Sequence, residues 1–282
     1  MIVCKNSYQL IEALSAYRDK QHLIGFVPTM GALHQGHISL VERARSETDI
    51  TVCSIFVNPT QFNDKKDFDK YPNTLDADKE MLEKAGCDIL FLPAVEEIYP
   101  SGFLSNINVP LGRIASMMEA KHRPGHFEGV LQVVKLLLDI VKPDSLYMGA
   151  KDFQQCAVIK QLIKYFDLPV KLVICPTIRE PEGLAMSSRN MRLTQTQRND
   201  ATILSHVLLN MQLEWKAYKP AALKKKWLTT LNNCKHIQVE YLEIVDADTL
   251  VPIRKWEGHQ HVQACAAVFI DRVRLIDNVN IF

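Results

Sequence analysis

A chain of 282 residues that is 47% apolar and 23% charged can bury a large core, with length for one large domain and one smaller, which excludes intrinsic disorder. Lysine and arginine number 33 against 32 acidic residues, so there is no global positive field to hold a phosphate backbone, and nucleic acid is not expected as a partner. No apolar run approaches the roughly 18 residues of a bilayer span, and seven cysteines without a CxxC pair or a secretory leader read as reduced thiols of a cytoplasmic protein.

In chain order, β-rich runs at 22–27, 50–57, 89–92, 145–148 and 170–175 alternate with helical patterns at 38–47, 75–85, 129–141 and 153–166. That alternation predicts βαβ units, an α/β fold around a parallel sheet. The apolar run 130–141 is short enough for a strand, but Lys135 and Asp139, spaced i and i+4, favour a helix. Beyond about residue 177 the pattern changes to a polar loop, two helices read as lysine-rich, and strands at 237–245 and 264–270. This predicts a first domain over 1–178 and a smaller α+β domain over 179–282.

Five stretches carry candidate chemistry. The first, 25–40, reads GFVPTMGALHQGHISL: a strand, a loop with glycines, then His34, Gly36 and His37 opening a helix. A strand-to-helix loop lies at the carboxyl edge of a parallel sheet, and a helix N-terminus offers N–H groups to an anion, so a phosphate is the expected guest. The two imidazoles can donate to charge that grows during displacement. Read alone, His-x-x-His is also a plain surface or core pair, or half a metal site, but no third and fourth ligand follow at suitable spacing.

The second, 54–62 (SIFVNPTQF), ends a strand in Asn58 and Gln61, neutral amides suited to a substrate's hydroxyl and carboxylate, or simply an Asn-Pro turn. The third, 147–155 (YMGAKDFQQ), offers Lys151 as a phosphate clamp, Asp152 to ribose hydroxyls, and Gln154 or Gln155 to an acid. Alternatively Asp152 caps a helix and Lys151 is solvated. The fourth, 183–190 (GLAMSSRN), joins two hydroxyls to an arginine, fit for a triphosphate and for a mobile lid, or for a linker. The fifth, 122–129 (HRPGHFEG), places Arg123 and His126 either at the pocket's border or in a turn shaped by Pro124 and Gly125. The cysteines fall outside these chemistries.

Together PTMGALHQGH, FVNPTQF, RPGHF, KDFQQ and GLAMSSRN resemble the pantothenate synthetase family, in order and at about its spacing, from Gly25 to Asn190, with RLIDN at the end similar to its closing strand. The resemblance implies a Rossmann-like nucleotidyltransferase domain of the HxGH class, a C-terminal cover, and a homodimer formed through the N-terminal domain. It implies ATP as co-substrate with Mg²⁺, a pantoyl-adenylate, and amide formation with β-alanine. By motif position, His34, His37 and Lys151 would be catalytic on the phosphates, with Ser187, Ser188 and Arg189. Gly149 and Asp152 would hold ribose, and Met30, Ile178 and Met186 would line the nucleotide site. Gln61 and Gln155 would hold pantoate, with Asn58 and Arg123 beside them, while Asp76 and Asp78 stand near for magnesium. The family usually carries glutamate where this chain has Ala150. A cofactor adenylyltransferase of the same histidine class would need a cationic pocket where Gln61 and Gln155 stand. Near-neutral charge argues against a relative of the aminoacyl-tRNA synthetases.

Overall fold

The computed structural model describes residues 1–62, 68–69, 71–100, 102 and 107–282. They form two compact units: Met1–Leu111 with Arg123–Ala150 and Gln155–Pro176, and Gly112–His122 with Lys151–Gln154 and Thr177–Phe282.

The first unit is built on six strands, β1 (Ile2–Cys4), β2 (Ile24–Thr29), β3 (Ile50–Ile55), β4 (Ile89–Phe91), β5 (Ser145–Gly149) and β6 (Lys171–Cys175), in the order β1-β4-β3-β2-β5-β6 and all parallel. β3 is buried along its whole length, Thr51 and Ser54 included, which is why its sequence does not alternate strictly between apolar and exposed polar residues. Helices α1 (Ser7–Arg18), α2 (Gln35–Glu47), α3 (Leu75–Ala85), the short α4 (Val95–Ile98) and α6 (His126–Val141) belong to this unit. Ile38, Val41 and Ala44 of α2 and Leu82 of α3 share one core with Val27, Cys53, Leu90 and Tyr147, which point to one face of the sheet. α6 packs on β2 and against α1, and its buried surface runs from His126 to Val141. From β2 the chain steps first to β3 and β4, then returns to β2's other side as β5 and β6. The order therefore reverses between β2 and β5, and a crevice at the carboxyl ends of such neighbours is where doubly wound sheets bind ligands.

The second unit is an antiparallel sheet of β7 (Ile237–Asp246), β8 (Val262–Ile270) and β9 (Val273–Asn280), with β8 central and almost wholly buried. α8 (Gln195–Glu214) and α9 (Pro220–Asn232) supply Leu204, Leu208, Met211, Leu223 and Trp227 to its core. The short α5 (Met118–His122) belongs to this unit as well. α7 (Phe153–Tyr165) begins with Phe153 and Gln154 in the second unit and continues in the first. Among the described residues no helix is long and apolar enough to cross a membrane.

Some expectations change. Only α9 is lysine-rich; α8 contains no lysine, and its first turn is instead closed by a Thr194–Gln197 capping box. β1 and α1 gave no signal, since β1 has three residues, of which Ile2 and Val3 are exposed. α6 starts three residues before the predicted helix, because His126, Phe127 and Glu128 already lie in its first turn.

Candidate active site

The loop after β2 is set by a carboxylate from far along the chain. Asp78 of α3, 2% exposed, accepts from Ala32 N (2.9 Å), Leu33 N (2.8 Å) and the Thr74 hydroxyl (3.0 Å). Gly31 sits at φ +78°, and a side chain there would press within 3.1 Å of Asp78 Oδ2, so glycine answers both the backbone and the close approach. Asp78 is thus spent on the loop and not placed to hold magnesium, while Asp76 is fully solvent-exposed. Among the described residues no group of three or more His, Cys, Asp or Glu could hold a metal ion.

That loop delivers His34 to the start of α2. His34 is the helix's N-cap: its Nδ1 accepts from Gly36 N at 3.1 Å, and His37 Nδ1 accepts from His34 N at 3.3 Å, a capping box built from two histidines. A backbone N–H can only donate, so both Nδ1 atoms are acceptors and both rings carry their proton at Nε2. The rings lie 4.0 Å apart between centroids, tilted by 37°. The cap corrects one expectation. The amides of Gly36 and His37 serve His34 itself, the latter donating to His34 O at 2.8 Å, so these two donors are engaged within the helix start.

After β3 the chain makes a 3₁₀ turn, Pro59–Gln61. Asn58 is 1% exposed, and its amide is consumed inside the protein: Nδ2 donates to Gly129 O (3.1 Å) and Gln61 Oε1 (3.3 Å), while Oδ1 accepts from Thr60 and from the Tyr99 hydroxyl at 2.8 Å. Asn58, expected as a substrate contact, is engaged in fixing the turn that carries Gln61. Burial raises the Tyr99 hydroxyl pKa, keeping it a donor here. Gln61 Nε2 lies 2.8 Å from Met30 Sδ, so two motif residues meet at one corner. The 122–129 stretch supports this corner. His126, 5% exposed, contacts Gln61 O through Nδ1 (2.9 Å) and Arg123 Nη1 through Nε2 (3.0 Å). A carbonyl only accepts and a guanidinium only donates, so His126 is the Nδ1–H tautomer, opposite to His34 and His37. A Cβ on Gly129 would lie 2.5 Å from Thr60 O and 2.7 Å from Gln61 N, so only glycine lets α6 lie this close beneath the turn.

β5 leads into the third stretch. A side chain at Gly149 would meet no described atom within 4 Å, so packing does not require glycine there. Of the two adjacent glutamines, Gln154 is 3% exposed and holds Glu119 N, Ile114 O and Met117 O at 2.8–2.9 Å. It is structural, and half-buried Gln155 is left as the candidate for the acid.

In the second unit, Lys151 is mostly buried, at 17% side-chain exposure, with Nζ 3.7 Å from Asp152 Oδ2. Its carbonyl accepts from Asn278 Nδ2 at 2.8 Å. The serine-rich stretch is a braced hairpin. Met186 N donates to Ile178 O (2.9 Å), Glu180 N to Leu184 O (2.8 Å), and Asn190 Nδ2 to Glu180 Oε1 and Ala185 O. Arg179 grips Asp277 with both terminal nitrogens, at 2.6 and 3.0 Å. Ser187 Oγ accepts from Arg189 N, capping the 3₁₀ turn Ser188–Arg192, and Ser188 is buried. Six of the seven cysteines are buried, and burial pushes the Cys87 thiol up to about 12, far from a reactive thiolate.

Asp78, Tyr99, His126, Gly129 and Asn278 thus organise the candidate residues; of these Tyr99 alone is unmarked in the sequence, where Asp78 reads toward magnesium and Asn278 only as part of the closing RLIDN strand. The chain matches the family model described as pantoate-beta-alanine ligase over residues 2–280. It is 49% identical over 263 residues to the pantothenate synthetase of Porphyromonas gingivalis strain ATCC 33277, covering 93% of this chain and 92% of that one. It is 44% identical over 281 residues to that of Cytophaga hutchinsonii, covering 99% of each. Among solved structures it resembles pantothenate synthetase from Thermus thermophilus, with a TM-score of 0.93, 38% identity and 100% of both chains covered. It also resembles pantoate-beta-alanine ligase from Francisella tularensis complexed with beta-gamma ATP and β-alanine, with a TM-score of 0.81, 40% identity, and 100% of this chain and 98% of that one covered. On a match that runs almost from end to end, the chain belongs to the pantoate-beta-alanine ligase family.

Proposed function

We propose that this protein condenses pantoate with β-alanine, cleaving ATP to AMP and pyrophosphate through a pantoyl-adenylate. The observation that carries the chemistry is the histidine capping box, whose Nδ1 acceptors leave Nε2 as the protonated, donating nitrogen of two rings at one helix start after β2. In the first step a pantoate carboxylate oxygen attacks the α-phosphorus and pyrophosphate leaves. Charge builds on the phosphate oxygens, and donors already fixed by the cap need no reorganisation to meet it. In the second step the amine of β-alanine attacks the acyl carbon, AMP departs, and the nitrogen gives up a proton to complete the amide.

Lys151 and Arg189 neutralise charge on the phosphates, and Ser187 and Ser188 donate their hydroxyls to them. Gly149 and Asp152 take the ribose, and Met30, Ile178 and Met186 border the nucleotide. Gln61 and Gln155 read pantoate, each able to donate to the carboxylate and accept from a hydroxyl, with Arg123 behind Gln61. ATP enters as its magnesium complex, the ion riding on the phosphates and retaining waters, as Mg²⁺ commonly does. The C-terminal domain acts as a cover, and the protein works as a cytoplasmic homodimer.

Exchange of labelled pyrophosphate into ATP isolates the first step. It is expected to require pantoate and Mg²⁺ but not β-alanine. Exchange that proceeds without pantoate, or that demands β-alanine, rejects the two-step reading.

A further inference from the structure

We infer that Asn278 is a positioning residue for Lys151, its amide setting the main chain from which the lysine reaches the phosphates. The inference rests on the proposed phosphate role of Lys151 and goes beyond it by naming what fixes that lysine in space.

Asn278 is 6% exposed near the end of β9, and Lys151 lies 127 positions earlier. Their bond, Nδ2 to Lys151 O at 2.8 Å, ties the two stretches within the second unit. The orientation of the amide follows from its partners. Gln263 Nε2 donates to Asn278 Oδ1 at 2.6 Å, which fixes the oxygen end, and Lys151 O can only accept, which requires the nitrogen end. The strand itself is held at the preceding residue, since Asp277 takes both nitrogens of Arg179 and also the Asn278 N–H at 2.8 Å. A lysine side chain is long and flexible and specifies a position poorly on its own. Tying its carbonyl to a braced strand removes the backbone's share of that freedom, and an ångström of misplacement costs heavily in phosphoryl chemistry. Arg179 lies at the base of the hairpin that carries Ser187 and Arg189, so adjacent residues of one strand hold both phosphate-handling segments.

The test is a double-mutant cycle in pantoate-dependent ATP–pyrophosphate exchange, with Asn278→Ala and Lys151→Ala made singly and together in the full-length enzyme. Asn278→Ala is expected to lower kcat on the order of tenfold with a smaller change in the KM for ATP, and Lys151→Ala to lower it further. Added to Lys151→Ala, Asn278→Ala should cost less than about twofold more, because no ammonium is left to position. The loss of thermal stability should be the same in both backgrounds, since Lys151→Ala keeps the main-chain carbonyl that Asn278 grips. A purely structural role would instead multiply through both backgrounds, and that result, or an Asn278→Ala enzyme of full kcat, overturns the inference. If Lys151→Ala leaves kcat intact, the phosphate role of Lys151 is what fails. Should Asn278→Ala not fold, Gln263→Met removes only the donor that orients the amide. A drop in kcat that disappears in the Lys151→Ala background supports the inference, and a drop that persists there overturns it.

Discussion

At the scale of single residues, the two histidines do two jobs with two different atoms. Nδ1 caps the helix and Nε2 carries the proton, so the jobs can be separated by substitution. Asparagine is among the best N-cap residues, and its side chain places an acceptor where His34 has Nδ1 but has nothing where His34 has Nε2. His34→Asn is therefore expected to leave the melting temperature unchanged or slightly raised while kcat falls on the order of a hundredfold, the scale of losing one donor to a developing charge. Paired measurements of thermal unfolding and pyrophosphate exchange decide it. A variant that loses stability but keeps kcat would make His34 a cap and nothing more.

Elements decide where the remaining candidates stand, and α6 under the Pro59–Gln61 turn is the clearest case. Gly129→Ala would drive a methyl into the Thr60 carbonyl, and overpacking of this kind costs roughly 1–3 kcal/mol. Because the displaced turn carries Gln61, the KM for pantoate is expected to rise with little change in the KM for ATP. Equal effects on both substrates, or none, would mean that the turn does not deliver Gln61 to the acid. From sequence, strands β2 to β6 and helices α2, α3 and α6 of this unit were legible because burial leaves apolar runs in strands, and amphipathic packing leaves a 3.6 period in helices. The start of α2 was misplaced by three residues, since its first turn is Gln-Gly-His and its cap is a histidine rather than one of the usual cap residues. The residues by themselves left Gln154 and Gln155 open, and the family resemblance alone favoured Gln155 for the acid. The answer lies in the carbonyls of Ile114 and Met117, some forty residues away. The loop-holding role of Asp78 escaped for the same reason, as its partners Ala32 and Leu33 lie 46 and 45 residues earlier.

On the scale of the whole molecule, the second unit gathers three separate stretches of chain, and Glu119 shows what the earliest contributes. At 7% exposure it accepts from the Tyr241 hydroxyl (2.7 Å) and from both terminal nitrogens of Arg274 (2.8 and 2.7 Å), and Arg274 also contacts Glu240 through Nε at 3.1 Å. Burial alone would lower the Arg274 pKa, but the two carboxylates outweigh it and hold the guanidinium above its usual value. Burial, reinforced by the Glu119 charge, pushes the Tyr241 hydroxyl well up, so it stays a donor. A boundary drawn only near residue 178 leaves this carboxylate outside the sheet it stabilises. Breaking one partner of a buried ion pair costs roughly 3–5 kcal/mol, and because Arg274 keeps Glu240, Glu119→Gln is expected at the lower end, about 3 kcal/mol. The chain's three tryptophans, Trp215, Trp227 and Trp256, all lie in 177–282, so selectively excited tryptophan fluorescence reports this unit alone. Urea unfolding followed by that signal should move to a clearly lower midpoint in Glu119→Gln with its slope unchanged, as a loss of stability without a change in exposed surface requires. An unmoved midpoint would show that the unit is held by its own sheet and helices, with the 112–122 stretch lying on it without supporting it.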